Sequence, residues 1–267
     1  MSGRWAIALW LILGPPSQAT AEALGDLRTI RACVDANAPS SSSVLDIALQ
    51  VRSAQGSVSE SRMKLYWRRL PDGEQRVLFR FLAPEELFRT ALLVRAREGK
   101  RPLVHLYLPD LGKARRVTSR SQIDGFLGRA DLGLEEVRQL LSPLEGDDVR
   151  LVNGADQISG RAVWVVEEPG AHDGRYARIV TFLDREYCLP LRAEFYGEQG
   201  PALKLLRVEP EDVVREADWW VARRLVFEDS ESGSQATLNV ENVEIDIPLA
   251  PGLLTVRALE MGGLRRP

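Results

Sequence analysis

From residue 44 to residue 247 apolar and polar positions mostly take turns. In 44–51, Leu45, Ile47, Leu49 and Val51 share one parity while Asp46, Ala48 and Gln50 share the other. That is the period of a strand with one buried face. In 63–70, Met63, Leu65 and Trp67 alternate with Lys64, Tyr66 and Arg68. Leu70-Pro71-Asp72-Gly73-Glu74 then carries turn chemistry: Pro presets φ, Asp bonds its own backbone and Gly tolerates positive φ. The return run places Val77, Phe79 and Phe81 on one face against Leu78, Arg80 and Leu82, so 63–82 reads as a hairpin. Further strands are predicted over 90–96, 103–108, 114–118, 161–167, 177–184, 190–196, 202–208, 220–228 and 236–247. In the last of these Leu238 and Val240 have one parity and Val243, Ile245 and Ile247 the other. A bulge near Glu241-Asn242 accounts for the slip, because one extra residue turns every later side chain to the opposite face.

Two stretches change to helical spacing. Residues 24–34 place Leu27, Ile30 and Val34 on one face with Cys33 beside them, and 132–142 place Leu134, Val137, Leu140 and Leu141 on another. Glu135 and Glu136 suit the first turn of the second helix, as helix-start acids or solvent charges. Pro84 to Phe88 is read as one further helical turn. With no internal repeat and no long linker, 22–267 is expected to be one domain: mainly β, a single strongly curved antiparallel sheet with a few helices packed on it. Such a sheet leaves two readings of its inner face. Apolar residues of both parities can line a cavity that short helices only partly cover, or they can form the closed core of a sandwich.

The first residues are of a different kind. A short basic start ends at Arg4, the apolar run Trp5 to Leu13 follows, Gly14-Pro15-Pro16 breaks it, and Ala19-Thr20-Ala21 offers a small-residue cleavage site. This is the pattern of a secretory signal over 1–21. Nine apolar residues rise about 14 Å as a helix, roughly half a bilayer core. Without a cysteine directly after Ala21, the expected product is exported and soluble, with no lipid anchor. Export makes an oxidising environment, in which Cys33 and Cys188, the two cysteines of the chain, form a disulfide or stay as buried thiols.

Charge adds one feature and excludes others. The net charge is −3, but nine Lys/Arg against two acids fall between Arg89 and Arg120, and eleven acids against three arginines between Glu209 and Asp246. The basic stretch reads either as a docking surface for an anionic membrane or acidic partner or as a solvated face. It lacks the interleaved aromatics of a nucleic-acid platform. The chemistry of catalysis is thin. His105 sits in an alternating strand and His172 in a loop, with no H-E-x-x-H, C-x-x-C, P-loop or G-x-S-x-G pattern. No cofactor, metal or nucleic acid is expected, and no enzymatic activity.

Three blocks carry a resemblance. They are Phe81-Leu82-Ala83-Pro84 followed by Thr90-Ala91-Leu92-Leu93; Leu106-Tyr107-Leu108-Pro109 with Lys113-Ala114-Arg115-Arg116-Val117; and Gly125-Phe126-Leu127-Gly128 with Asp131 and Glu135-Glu136. Tyr176, Asp184, Pro190-Leu191-Arg192-Ala193-Glu194 and Lys204 fit the same pattern. Over roughly 44–250 the chain resembles the LolA-like outer-membrane lipoprotein-sorting proteins of two-membrane bacteria. It departs from them at Phe88-Arg89, where glycine is usual, and by an inserted residue near Gly128 to Leu134. The resemblance implies an unclosed barrel of about eleven antiparallel strands with helices as a lid. It also implies a greasy cavity for acyl chains without specific polar anchors, and work in the periplasm.

On these grounds the expected function is a monomeric periplasmic carrier of acylated lipoprotein or lipid. It would move between an inner-membrane transporter or exporter and an outer-membrane acceptor. Met63, Leu65, Trp67, Val77, Phe79, Phe81, Leu106, Leu108, Trp164 and Phe195 would line the cavity, and Leu134, Val137 and Leu141 would cover it. The alternative is an adaptor subunit with a closed core, docking a membrane transporter through Arg115 and Arg116.

Overall fold

The computed structural model describes residues 19–97, 100–117, 132–141, 144, 148–171 and 174–261. Helix α1 (Ala19–Ala36) leads into a meander of six strands, β1 (Ser42–Arg52), β2 (Val58–Arg69), β3 (Gln75–Ala83), β4 (Ala91–Arg97), β5 (Lys100–Leu108) and β6 (Lys113–Val117). Helix α2 (Leu134–Leu141) precedes a second meander, β7 (Arg150–Ile158), β8 (Arg161–Pro169), β9 (Arg178–Asp184), β10 (Pro190–Tyr196) and β11 (Ala202–Arg207). The small hairpin β12 (Val213–Glu216) and β13 (Trp219–Ala222) interrupts it. Strands β14 (Arg224–Asp229) and β15 (Gln235–Ile245) follow, and helix α3 (Val256–Glu260) is last.

Thirteen strands make one antiparallel sheet in the order β6-β5-β4-β3-β2-β1-β15-β14-β11-β10-β9-β8-β7. The two meanders join where β15 pairs with β1, so β6 and β7 are the free edges and the sheet is not closed into a barrel. The expected antiparallel half-barrel is present, with thirteen sheet strands in place of about eleven. The bulge is where the parity slip put it: Asp46 pairs with Asn242 and Ile47 with Val240, leaving Glu241 as the extra residue. Strand β7 and the hairpin β12–β13 escape the sequence reading. In β7 two irregularities against β8 break the alternation, and the predicted strand 220–228 is split between β13 and β14.

The sheet has two unlike faces. One face carries most of a large apolar cluster, running from Val104 of β5 through Met63, Phe227 and Phe195 to Ile179 of β9. Both α2, through Val137, and α1, through Ile30 on Val166 and Leu183, pack on this face, so it is the enclosed, concave one. The other face carries a second cluster. Val44, Tyr66, Leu78, Leu93 and Tyr107 pack under Leu249, Leu253, Leu254 and Leu259 of the C-terminal segment. A third cluster lies on the concave face, where Val166, the partner of Thr181, and Leu183 pack with Ile30 of α1, Leu144 and Val149. Cys33 of α1 and Cys188 in the β9–β10 turn form a disulfide across 155 residues, pinning α1 to the sheet. Asn37, just after α1, exchanges two hydrogen bonds with the backbone of Trp220, donating at 3.0 Å and accepting at 2.7 Å.

Most of the expected signal segment lies outside the described residues, and Ala19 to Ala21 open α1. Among the described residues no helix is long and apolar enough to cross a membrane, which says nothing about strands.

Candidate functional site

The concave face is built by alternation. Along β2 and β3 every second residue points inward, and Met63 faces Phe81, Leu65 faces Phe79 and Trp67 faces Val77 across the pair. All six are buried, between 3% and 6% exposed. Leu92 and Val94 of β4, Val104 of β5 and Phe195 of β10 continue the surface, with Leu106 partly buried against it. Leu108 is half-buried on the same parity of β5 as Val104 and Leu106. Val137 of α2 belongs to this cluster and is 7% exposed, so the helix roofs the face. The side chains of Leu134 and Leu141, and the Gly125 to Asp131 block, lie outside the described residues.

Trp164 lies on the same face. It pairs with Leu183, which shares the parity of Ile179, the partner of Phe195. There it packs with the cluster around Ile30 of α1, while Val163 and Val165 on either side of it take the opposite parity.

One correction concerns polarity. The inner face was expected to be greasy throughout, yet Glu168, Thr181, Lys204 and Asp229 point into it and are all at most 5% exposed. Their neighbours fix the direction. Lys204 pairs with Phe195 and Asp229, Ala193 pairs with Thr181, and Glu168 pairs with Ile179. Each stands beside a member of the concave cluster.

These groups receive the polar side of α2, and Glu135 and Glu136, at 4% and 3% exposure, are no solvent charges. Glu136 Oε1 accepts from the Tyr176 hydroxyl at 2.5 Å and lies 3.4 Å from Lys204 Nζ, while Oε2 accepts from Gly133 N–H at 3.0 Å. Glu135 Oε1 accepts from Ala171 N–H at 2.7 Å. Gln139 donates to Thr181 Oγ1 at 2.8 Å, and Arg138 lies 3.4 Å from Glu168. The loop that receives Glu135 needs its glycines. A Cβ at Gly170 would stand 1.8 Å from the Tyr176 carbonyl, and one at Gly174 would stand 2.5 Å from Glu135 Oε1.

Burial shapes the protonation of this network. It raises the Tyr176 hydroxyl, with the Glu136 carboxylate adding to the rise, so the phenol stays a donor. It likewise pushes Glu168 above the usual carboxylate range, against the pull of Arg138. Burial alone would raise Asp229 too. The Arg175 guanidinium at 2.9 Å and the N–H of Ser232 outweigh it and hold Asp229 at about 2. The buried cation and anions are thus matched, as a low-dielectric interior requires.

Arg115 and Arg116 are exposed on the edge strand β6 and point to opposite faces: Arg115 is level with Leu106, and Arg116 with His105. They flank an edge and do not make one flat patch. His105 is half-buried, and burial with Arg95 and Arg116 nearby lowers its basicity. His172 lies outside the described residues. A cleft of about 360 Å³ lies near Ala48, Gln50, Glu60, Arg62 and Pro84. The parity of Ala48 and Arg62 puts it on the outer face. Among the described residues no group of His, Cys, Asp and Glu is arranged to hold a metal.

A family model described as "-like: Uncharacterized protein" matches residues 73–261, most of the chain. No curated protein matches the sequence. Solved structures do match in fold. A DUF1329-family protein from Desulfovibrio piger has a TM-score of 0.78 at 20% identity, over 89% of this chain and 98% of that one. An outer-membrane lipoprotein-sorting protein domain, described as putative, from Vibrio parahaemolyticus has a TM-score of 0.75 at 21% identity, over 90% and 99%. A LolA-superfamily protein from Nitrosomonas europaea has a TM-score of 0.65 at 15% identity, over 86% and 96%. At these identities the structures speak for the fold. The chain belongs to the family whose model it matches, and its unclosed sheet has the fold seen in the LolA-superfamily and lipoprotein-sorting-domain structures.

Proposed function

We propose that this protein is a non-enzymatic carrier in the periplasm, sheltering the acyl chains of lipoproteins or lipids on the concave face. It takes them from an inner-membrane transporter or exporter and yields them to an outer-membrane acceptor. One observation carries this reading. A continuous apolar face on an unclosed sheet is roofed by a two-turn helix, α2, whose inward side holds the sheet largely through hydrogen bonds and ion pairs. Such a roof can exchange its bonds for water when it lifts. The trough beneath then offers roughly 0.8 kcal/mol for each methylene it takes from water.

Release requires that no single contact be too strong, and an apolar surface meets that requirement because its attraction is spread over many weak ones. The edge β6, with Lys113, Arg115 and Arg116 exposed, is the part we assign to docking at a membrane protein.

The test uses protein exported with its own leader and purified from the periplasm without detergent. Lipid mass spectrometry should find co-purifying acyl lipid, and the delipidated protein should take up a fluorescent fatty-acyl probe. No lipid and no uptake would leave the adaptor reading in its place.

A further inference from the structure

The concave face is divided along its length. On β2 to β5 the inward residues are Met63, Leu65, Trp67, Val77, Phe79, Phe81, Leu92, Val94 and Val104, all apolar. On β11 and β14 the inward row holds Lys204 beside Asp229, with the Tyr176 hydroxyl close by through Glu136. An apolar trough that ends in a buried ammonium and a phenol is the shape of a site for an amphiphile. Apolar walls supply affinity, and a few placed polar groups set orientation.

The two anions beside Lys204 are not equivalent. Asp229 belongs to the sheet and is committed elsewhere: it accepts from Arg175 at 2.9 Å and from the N–H of Glu231 and Ser232 at 3.0 and 2.9 Å, and it stands 3.8 Å from Lys204. Glu136 belongs to the roof, and it is the nearer, at 3.4 Å from Lys204 Nζ and 2.5 Å from the Tyr176 oxygen. When α2 lifts, Glu136 leaves with it. Lys204 and Tyr176 then face the trough with donors that an anionic group can satisfy, and a buried cation is costly without one.

Resting on the carrier reading above, we propose that Lys204 and Tyr176 anchor the anionic head group, carboxylate or phosphate, of a single-chain acyl ligand. Glu136 holds that place while the roof is closed. Entry of the ligand and lifting of α2 are thereby one exchange: the ligand's anion takes the hydrogen bonds that the helix gives up. The acyl chain lies toward β2 to β5, and the head group lies under the position of α2.

The test is displacement of a bound neutral probe, the methyl ester of cis-parinaric acid, by three ligands with the same oleyl chain, each below its micellar concentration. Oleate tests the carboxylate, 1-oleoyl lysophosphatidate the phosphate, and oleyl alcohol neither. At least one anion should displace the probe about tenfold better than the alcohol, and whichever does identifies the head group. Lys204→Gln should bring the three ligands to within about twofold while the neutral probe still binds. Glu136→Gln should strengthen the preferred anion several-fold, because the competing carboxylate is gone.

Equal displacement by all three ligands in the unmodified protein would overturn the anchor and leave the carrier reading standing. So would an undiminished preference in a folded Lys204→Gln protein. If the neutral probe does not bind at all, the carrier reading itself fails, and the anchor with it. Should Lys204→Gln fail to fold, the ranking in the unmodified protein decides.

Discussion

Single side chains here show how strongly neighbours outside the local sequence decide a residue's state. Glu74 closes the β2–β3 turn and looks like an ordinary turn acid. Arg95, Arg76 and Arg97, from three positions on β3 and β4, surround its carboxylate at 2.6 to 3.0 Å. Hydrogen bonding by Arg95 above all, then by Arg76 and Arg97, holds it at about 2 against the opposing effect of burial. A carboxyl depressed in the folded state contributes stability that is present above its ordinary value near 4.5 and is lost as pH falls through about 2. Glu74→Gln should therefore cost about 2–3 kcal/mol at pH 7. Urea denaturation should show the gap between the two proteins narrowing between pH 4.5 and 2. Asp184 is a similar case: 1% exposed, it receives Arg161 on both oxygens and the N–H of Glu186 and Tyr187, which shapes the turn that carries Cys188.

At the scale of elements, the two longer helices are held in opposite ways. Helix α1 is fixed to the sheet covalently by Cys33–Cys188 and by fully buried Ile30. Closing a loop of this length stabilises by roughly 2–5 kcal/mol in the chain-entropy account. Denaturation with and without reductant should differ by that amount. Ile30→Ala should cost about 2–5 kcal/mol in the same measurement, because the pocket between α1 and β8–β9 cannot collapse around a smaller side chain.

Helix α2 is held by side chains that water can replace. Its described contacts with the apolar cluster are Val137, at 7% exposure, and the partly buried Leu140. Val137→Asp should lift the roof while the disulfide-braced remainder stays folded. Binding of an environment-sensitive dye such as ANS should rise several-fold with an unchanged far-UV spectrum; a spectrum that collapses would mean that α2 is core and not lid.

The whole molecule is a sheet with two ends to protect. An edge strand offers unpaired backbone groups, and charge on it discourages pairing with another chain. Strand β6 meets this with Lys113, Arg115 and Arg116, and the Ala114 N–H, a further edge donor, is taken by Glu260 of α3 at 3.1 Å. The same charges can serve recognition, since each basic residue near an anionic surface is worth about 1 kcal/mol. Arg115→Glu with Arg116→Glu should weaken co-sedimentation with phosphatidylglycerol vesicles tenfold or more at low salt. The difference should fade as salt shortens the range of the interaction. Binding that ignores both the substitutions and salt would assign these residues to edge protection alone.

Much of this architecture was legible in the chain itself, because period two and turn chemistry are local properties. The hairpins, the helix over α2, the slip at Glu241 and most members of the inner face follow from them. The pattern does not say which of two parities faces inward. Trp164 shows this, for Val163 and Val165 beside it are equally apolar, and its place on the inner face is fixed by its pairing with Leu183 of β9. Nor does sequence spacing say that Glu135 and Glu136 are buried. Their surroundings are assembled from Gly170 to Tyr176, β9, β11 and β14, long after α2 in the chain, and a charge is tolerated inside only when such partners converge on it. Alternation alone determined that there would be a large sheet with an apolar face. Only the tertiary structure, laying α1 and α2 on that face and setting Lys204 beneath Glu136, decided that the face would be an enclosed trough with a polar end.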